Sequence, residues 1–282
     1  MPFWISIAIL SAAQGGVVAL ARPPCGERPT RIRSRRWAIL PPLSVLGFVA
    51  VARAAEDASA ETLTYLALVA VPLLAALACG WLTRGARPLR ALLVIPLFAL
   101  AWADRGGLAG EGSALVLSGL SCAALGVGFA LLTPPRWLGG GIVAMALADT
   151  ALVVSDLLQR PNDTLNAAHP AAGLPRLQSA IFGSAVMGYG DLFIAGLLGA
   201  LLAVTLGAST QLRGAASTVA LALCFDLLFF LVHELPATVP VALALILIVL
   251  RRRRRSARST LALAPPRVDV RADPHQEAPV VR

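Results

Sequence analysis

Lysine is absent from this sequence, and charge of any kind is scarce. Only 14% of the 282 residues are charged, against about a quarter in an ordinary soluble domain. That shortage excludes a water-facing globular surface. The four cysteines, Cys25, Cys79, Cys122 and Cys224, form no Cys-x-x-Cys pair, and three lie inside apolar runs. This spacing offers neither a disulfide framework nor a zinc site. The histidines are few, and His169 and the His233-Glu234 pair form no metal or triad constellation; they read as interfacial loop residues. No metal and no cofactor is expected.

What is present is apolar. Hydrophobic residues make up 57% of the chain, and they fall in long runs separated by short polar gaps. That is the pattern of a polytopic, all-α membrane protein. Nine spans are expected, at roughly 3–21, 37–54, 62–82, 89–103, 113–132, 139–158, 179–206, 215–233 and 238–250. Most approach the roughly 20 apolar residues that a bilayer core requires. The first run has its positive charges after it rather than before it, the reverse of a cleavable signal, and reads as a retained helix. Residues 1–255 thus form one membrane domain. Residues 256–282, polar and proline-containing, read as a disordered tail.

The net charge of +9 is carried entirely by arginine. A basic balance can signal nucleic acid, but these arginines sit in the gaps between apolar runs, as membrane anchoring requires. With alternate gaps assigned to the cytoplasm, Arg22, Arg28, Arg31, Arg33, Arg35 and Arg36 fall inside. So do Arg84, Arg87, Arg90, Arg136, Arg213 and Arg251 to Arg255. Only Arg53, Arg105, Arg160 and Arg176 fall outside, where Glu56, Asp57, Glu61, Asp104, Glu111, Asp163 and Glu234 collect. The expectation is a multi-pass plasma-membrane protein with its N-terminus outside and its C-terminus cytoplasmic. The Ala/Arg/Leu/Gly-rich, lysine-free composition resembles that of a high-GC bacterial genome.

Four aspartates interrupt the apolar runs: Asp149, Asp156, Asp191 and Asp226. A charge at bilayer depth costs about 2.5–3.5 kcal/mol on insertion scales, so such residues are rare and usually paired or functional. Asp156 lies near a span end, where water is close. Asp226, in "ALCFDLLFF", reads best as a hydrogen-bonded structural group. Depth pairs the other two. Asp149 lies some nine residues below the outer end of the sixth span, and Asp191 some twelve below the outer end of the seventh. At 1.5 Å per residue these depths differ by only ~5 Å. Adjacent antiparallel helices would bring the carboxyl groups face to face. Two carboxyls in one dry site do not both ionise, so the pair offers a base to activate water and an acid to protonate a peptide carbonyl.

The stretch "MGYGDLFIAGLLGAL" resembles the seventh-helix Gly-x-Gly-Asp motif of the signal peptide peptidase and presenilin family of intramembrane aspartyl proteases. In that family the second aspartate lies on the sixth helix, in Tyr-Asp, and a Pro-Ala-Leu motif starts the ninth. Here the sixth span carries Ala148-Asp149, and "LPATVPVALAL" opens the ninth with Pro236-Ala237-Thr238. The resemblance implies Asp149 and Asp191 as catalytic residues, with Gly188, Tyr189 and Gly190 shaping the substrate site and Pro236 and Ala237 bordering it. It implies transmembrane or signal-peptide-like polypeptides as substrates. Gly188 and Gly190, lacking side chains, would let a substrate backbone approach Asp191. Pro236 and Pro240 would disfavour a regular helix start and leave backbone groups free.

Three alternatives remain. A potassium filter would require Thr-Val before Gly-Tyr-Gly, where this chain has Val186-Met187. The prepilin peptidases share Gly-x-Gly-Asp but continue with Val-Lys, where this chain has Leu192-Phe193, and their aspartates face the cytoplasm. A transporter or scaffold would use the aspartates as proton or cation sites, and Asp226 would then matter as much as Asp191.

Overall fold

The computed structural model describes residues 1–24, 34–54, 56–157, 159, 163–165, 168, 170, 173–232 and 235–262. His169, His233, Glu234 and Cys25 lie outside them. Nearly everything described is helical. The elements are α1 (Phe3–Leu20), α2 (Leu40–Ala54), α3 (Glu56–Leu77), α4 (Val94–Ala103), α5 (Leu108–Leu132) and α6 (Pro135–Val154). After a loop come two short strands, β1 (Ser179–Phe182) and β2 (Ala185–Gly188). Then follow α7 (Tyr189–Leu206), α8 (Ala208–Asp226) and α9 (Val239–Ala262). Contacts divide the chain into a compact unit, Met1–Ile246, and a second unit from Leu247 onward.

Among the described residues six helices are long and apolar enough to cross a membrane: Phe3–Leu20, Ala58–Leu82, Leu108–Leu132, Pro135–Val154, Tyr189–Leu206 and Ala208–Phe230. The protein is a multi-helix membrane protein. The other three expected spans also fall on helix, but on shorter or charged pieces. α2 has 15 residues. The 89–103 run is a 3-10 turn, Pro88–Leu93, leading into the ten residues of α4. α9 carries arginine from Arg251 onward, and Arg251 to Arg254 are exposed. Arginine and alanine are good helix formers, so the helix continues through 256–262, the first residues of the expected tail. The rest of that tail, 263–282, lies outside the described residues.

One expected span is wrong at its start. Residues 179–188 are a β-hairpin, not the first turns of a helix. Its register pairs Ser179 with Gly188, Ala180 with Met187, Ile181 with Val186 and Phe182 with Ala185. That leaves Gly183 and Ser184 as a two-residue turn, with Gly183 at φ +60°. Glycine with positive φ at the first turn position makes the tight II′-type reversal that matches strand twist. The sequence around it, Ile181-Phe182 and Val186, favours strand over helix. The tip is tethered at both sides. The Gly183 N–H donates to Glu111 Oε2 of α5 at 2.6 Å, and the Ser184 N–H donates to Ser6 Oγ of α1 at 3.3 Å.

α7 is the buried centre of this arrangement, packed against α1, α5, α6 and α8. Leu192, Ile194, Ala195, Leu197, Leu198 and Ala200 are fully enclosed, and a helix apolar all round belongs inside. Its close approaches use glycine. A Cβ on Gly196 would stand 2.3 Å from the Cys122 carbonyl oxygen of α5, and one on Gly126 would stand 2.2 Å from the Gly196 carbonyl carbon. The two helices therefore touch backbone to backbone, as small residues allow in membranes. Gly196→Ala should lower stability by about 1–3 kcal/mol through overpacking. Thermal unfolding in detergent measures it, and an unchanged midpoint would show that α5 and α7 can part without loss.

Candidate functional site

A cavity of about 950 Å³ lies within the first unit, at the upper end of the range of small-ligand sites. Leucines of α2 and α3 form much of its apolar wall. Its polar side gathers Asp149, Asp191, Gly188, Tyr189, Gly190, Pro236, Ala237 and Thr238. All seven residues singled out in the sequence therefore meet in one cavity, although they come from α6, the hairpin, α7 and the segment before α9.

Each carboxylate is placed by a different local device. β2 ends at Gly188, which is the N-cap of α7, so Asp191 falls in the first helical turn. Its Oδ2 accepts the Gly188 N–H at 3.1 Å. Unpaired N–H groups and the helix dipole both favour a carboxylate there. Asp191 is therefore not twelve residues down a continuous helix. Extended chain occupies the part of that depth given to helix in the sequence reading.

Asp149 lies within α6 and is buried, 8% exposed. The hydroxyl of Thr238 donates to its Oδ2 at 2.6 Å. Thr238 is itself buried and stands just before α9, where the chain has not yet become helical. Asp149 and Asp191 thus open on the same cavity. Asp156 does not share it: α6 stops at Val154, and Asp156 is exposed beyond the helix end with φ +60°. The helix that carries Asp149 has ended before Asp156, so the two do not share a helix face.

Asp226 reaches the same cavity from the end of α8, and its Oδ2 accepts the hydroxyl of Ser11 at 2.7 Å. Tyr189 shares a 2.7 Å hydrogen bond with Ser121 of α5, which fixes the ring against the wall. A Cβ on Gly188 would come within 3.0 Å of Asp191 Oδ2, whereas one on Gly190 would make only ordinary contact with Met145. Only Gly188 therefore has a steric reason to lack a side chain.

The hairpin also shapes the site. The Phe182–Ala185 pair flanking a two-residue turn exchanges both hydrogen bonds, so Val186 and Gly188 turn their backbone groups away from β1. Both line the cavity. Three residues with a place in this geometry carried no signal in the sequence: Thr238, Ser11 and Gln14. Thr238 marked only a departure from Pro-Ala-Leu, and the α1 pair read as ordinary polar residues in an apolar run.

No group of three or more His, Cys, Asp or Glu that could hold a metal occurs among the described residues. No protein-family model matches the chain, and no curated protein or solved structure matches it. The site is interpreted on its own geometry.

Thr238→Val keeps the shape of the side chain but leaves the buried Asp149 oxygen without its donor. It should lower stability by about 1–3 kcal/mol, read as a fall in the thermal midpoint in detergent. Thr238→Ser should lose less. Equal midpoints for valine and threonine would mean that the hydroxyl does not support Asp149.

Proposed function

We propose that this protein is an intramembrane aspartyl protease resembling the signal peptide peptidase and presenilin family. It would hydrolyse peptide bonds in or near transmembrane or signal-peptide-like segments. The observation that carries the reading is the meeting of Asp149 and Asp191 in one large cavity of a multi-helix membrane protein. In this reading the two carboxyl groups share a proton. One takes a proton from the attacking water while the other gives its proton to the carbonyl oxygen of the scissile bond. The tetrahedral intermediate collapses when its amine leaves with a proton, and the pair returns to its starting state.

The surroundings suit a polypeptide substrate. Peptide bonds inside a helix are shielded by their own hydrogen bonds, so a cleavable segment must be opened and held extended. The outward backbone groups of Val186 on β2 offer a strand edge beside Asp191, the mode by which extended peptides add to sheets. The segment 235–238, which contains Pro236 and is not helical, also lines the cavity. The apolar wall from α2 and α3 suits a hydrophobic segment.

The reading includes nine spans, an outer N-terminus and a cytoplasmic C-terminus in the plasma membrane. The arginine asymmetry supports this orientation. Reporter fusions after residues 28, 57, 85, 170 and 256 should alternate between the two sides. A cytoplasmic signal at 170 would reverse the orientation and favour a prepilin-peptidase type of enzyme.

The direct test is cleavage of a model transmembrane peptide by purified protein. Asparagine keeps the size of aspartate but cannot exchange the proton. Asp149→Asn and Asp191→Asn should each abolish cleavage while the protein still inserts and folds. Asp156→Asn and Asp226→Asn should retain part of it. Full activity in Asp149→Asn would remove this residue from the proposed pair.

A second reading follows from Asp226, since a further membrane-depth carboxylate on the same cavity also suits a proton or cation carrier. Cation flux in liposomes that is lost in Asp226→Asn, with no peptide cleavage by the unaltered protein, would establish it instead.

A further inference from the structure

The Gln14 side chain stands between the first turn of α7, which carries Asp191, and the segment before α9, whose Thr238 bonds Asp149. It lies on α1 and is wholly enclosed. Its Nε2 donates to the main-chain oxygen of Asp191 at 3.3 Å and to that of Ala237 at 2.9 Å. Ala237 precedes Thr238, whose hydroxyl holds Asp149. One carboxamide therefore ties the first turn of α7 to the open segment before α9, and through Thr238 to Asp149. The chain of contacts runs from the backbone of Asp191 on α7 to the side chain of Asp149 on α6 through α1 and the segment before α9.

Fold stability gives little reason for a glutamine there. Its Oε1 is buried and accepts no hydrogen bond from the described residues, an unfavourable placement for a carbonyl. Of its buried neighbours on α1, Leu10, Val17 and Val18 are apolar, and Ser11 is polar with its hydroxyl bonded to Asp226. A leucine at position 14 would fill similar space without the orphaned oxygen. Local rules broken at a fold's expense mark sites kept for function. Among the described residues, the only hydrogen bonds of the Gln14 side chain are those to the two carbonyls, and both carbonyls belong to residues that line the cavity.

We infer that Gln14 is a positioning residue for the Asp149–Asp191 pair, setting the spacing between the α7 N-terminus and the 235–238 segment. The inference rests on the aspartyl-protease reading. The test compares Gln14→Leu and Gln14→Met with the unaltered protein in three measurements: thermal unfolding in detergent, kcat and KM on a model transmembrane peptide, and cross-linking. For the last, Asp191→Cys and Ala237→Cys are joined by a short bis-methanethiosulfonate reagent, with and without Gln14→Leu, and the linked peptide is identified by mass spectrometry.

The expected result is a thermal midpoint that is kept or raised, kcat lower by about 10- to 100-fold, KM little changed, and a reduced yield of the 191–237 cross-link. A lowered midpoint with kcat per folded molecule unchanged would assign Gln14 to folding alone and overturn the inference. Unchanged kcat with an unchanged cross-link would overturn it too. If the unaltered protein cleaves no peptide, the protease reading fails and the cross-link decides alone: a reduced yield in Gln14→Leu keeps the positioning role, and an equal yield removes it.

Discussion

The backbone contact between α5 and α7 is the constraint on which the rest depends. Gly126 and Gly196 bring the two helices together more closely than any side chain would allow. In lipid there is little hydrophobic force between helices, so such close packing supplies much of the attraction. A third approach, Gly199 against the Val18 carbonyl of α1, holds α7 from another side. With α7 fixed by α1 and α5, its N-terminus is fixed as well. The same two helices grip the hairpin tip through Glu111 and Ser6. Asp191 therefore has a rigid helix behind it and an anchored strand before it.

Within that frame the carboxylates are made tolerable by three separate devices. Asp191 takes its donor from the N-cap of its own helix. Asp149 borrows one from Thr238, on a segment far away in sequence. Asp226 borrows one from Ser11. Each device uses up one oxygen and leaves the group at the cavity wall. A structural aspartate needs no cavity. Four aspartates, Asp149, Asp191, Asp226 and the exposed Asp163, line one cavity of this apolar protein, and carboxylates at membrane depth are rare and usually paired or functional.

Much of this was legible in the sequence, and what was not has identifiable causes. The apolar runs located the six long apolar helices, because bilayer thickness imposes a length that composition betrays. The pairing of Asp149 with Asp191 followed from counting residues inward from the two span ends. The count put both aspartates on the cavity that they line, but its depth for Asp191 was wrong, because residues 179–188 run out and back as a hairpin instead of descending as helix. The hairpin was missed because Ser179 to Gly188 is as apolar as the helix that follows. Hydropathy does not distinguish a buried strand from a buried helix, and the Gly183-Ser184 turn was the only local sign. Thr238 and Gln14 were missed for a different reason. Their roles depend on partners more than 80 residues away, and no local pattern records such contacts.

The hairpin changes what the Gly-Tyr-Gly-Asp stretch means. In a continuous helix the two glycines would simply thin the surface around the aspartate. At a strand-to-helix junction, Gly188 is instead the point where the chain turns from one regular structure into another. A side chain there would press on the carboxylate that caps the turn. The same junction puts a strand edge and a helix N-terminus side by side, so that backbone groups turned away from β1 adjoin the Asp191 carboxylate. Helical membrane proteins rarely have backbone groups free to offer a ligand, because lipid forces those groups to pair internally. Here the interruption lines a cavity, where that rule is relaxed. The break in the helix pattern and the acidic pair thus have one physical setting, and neither is informative without the other.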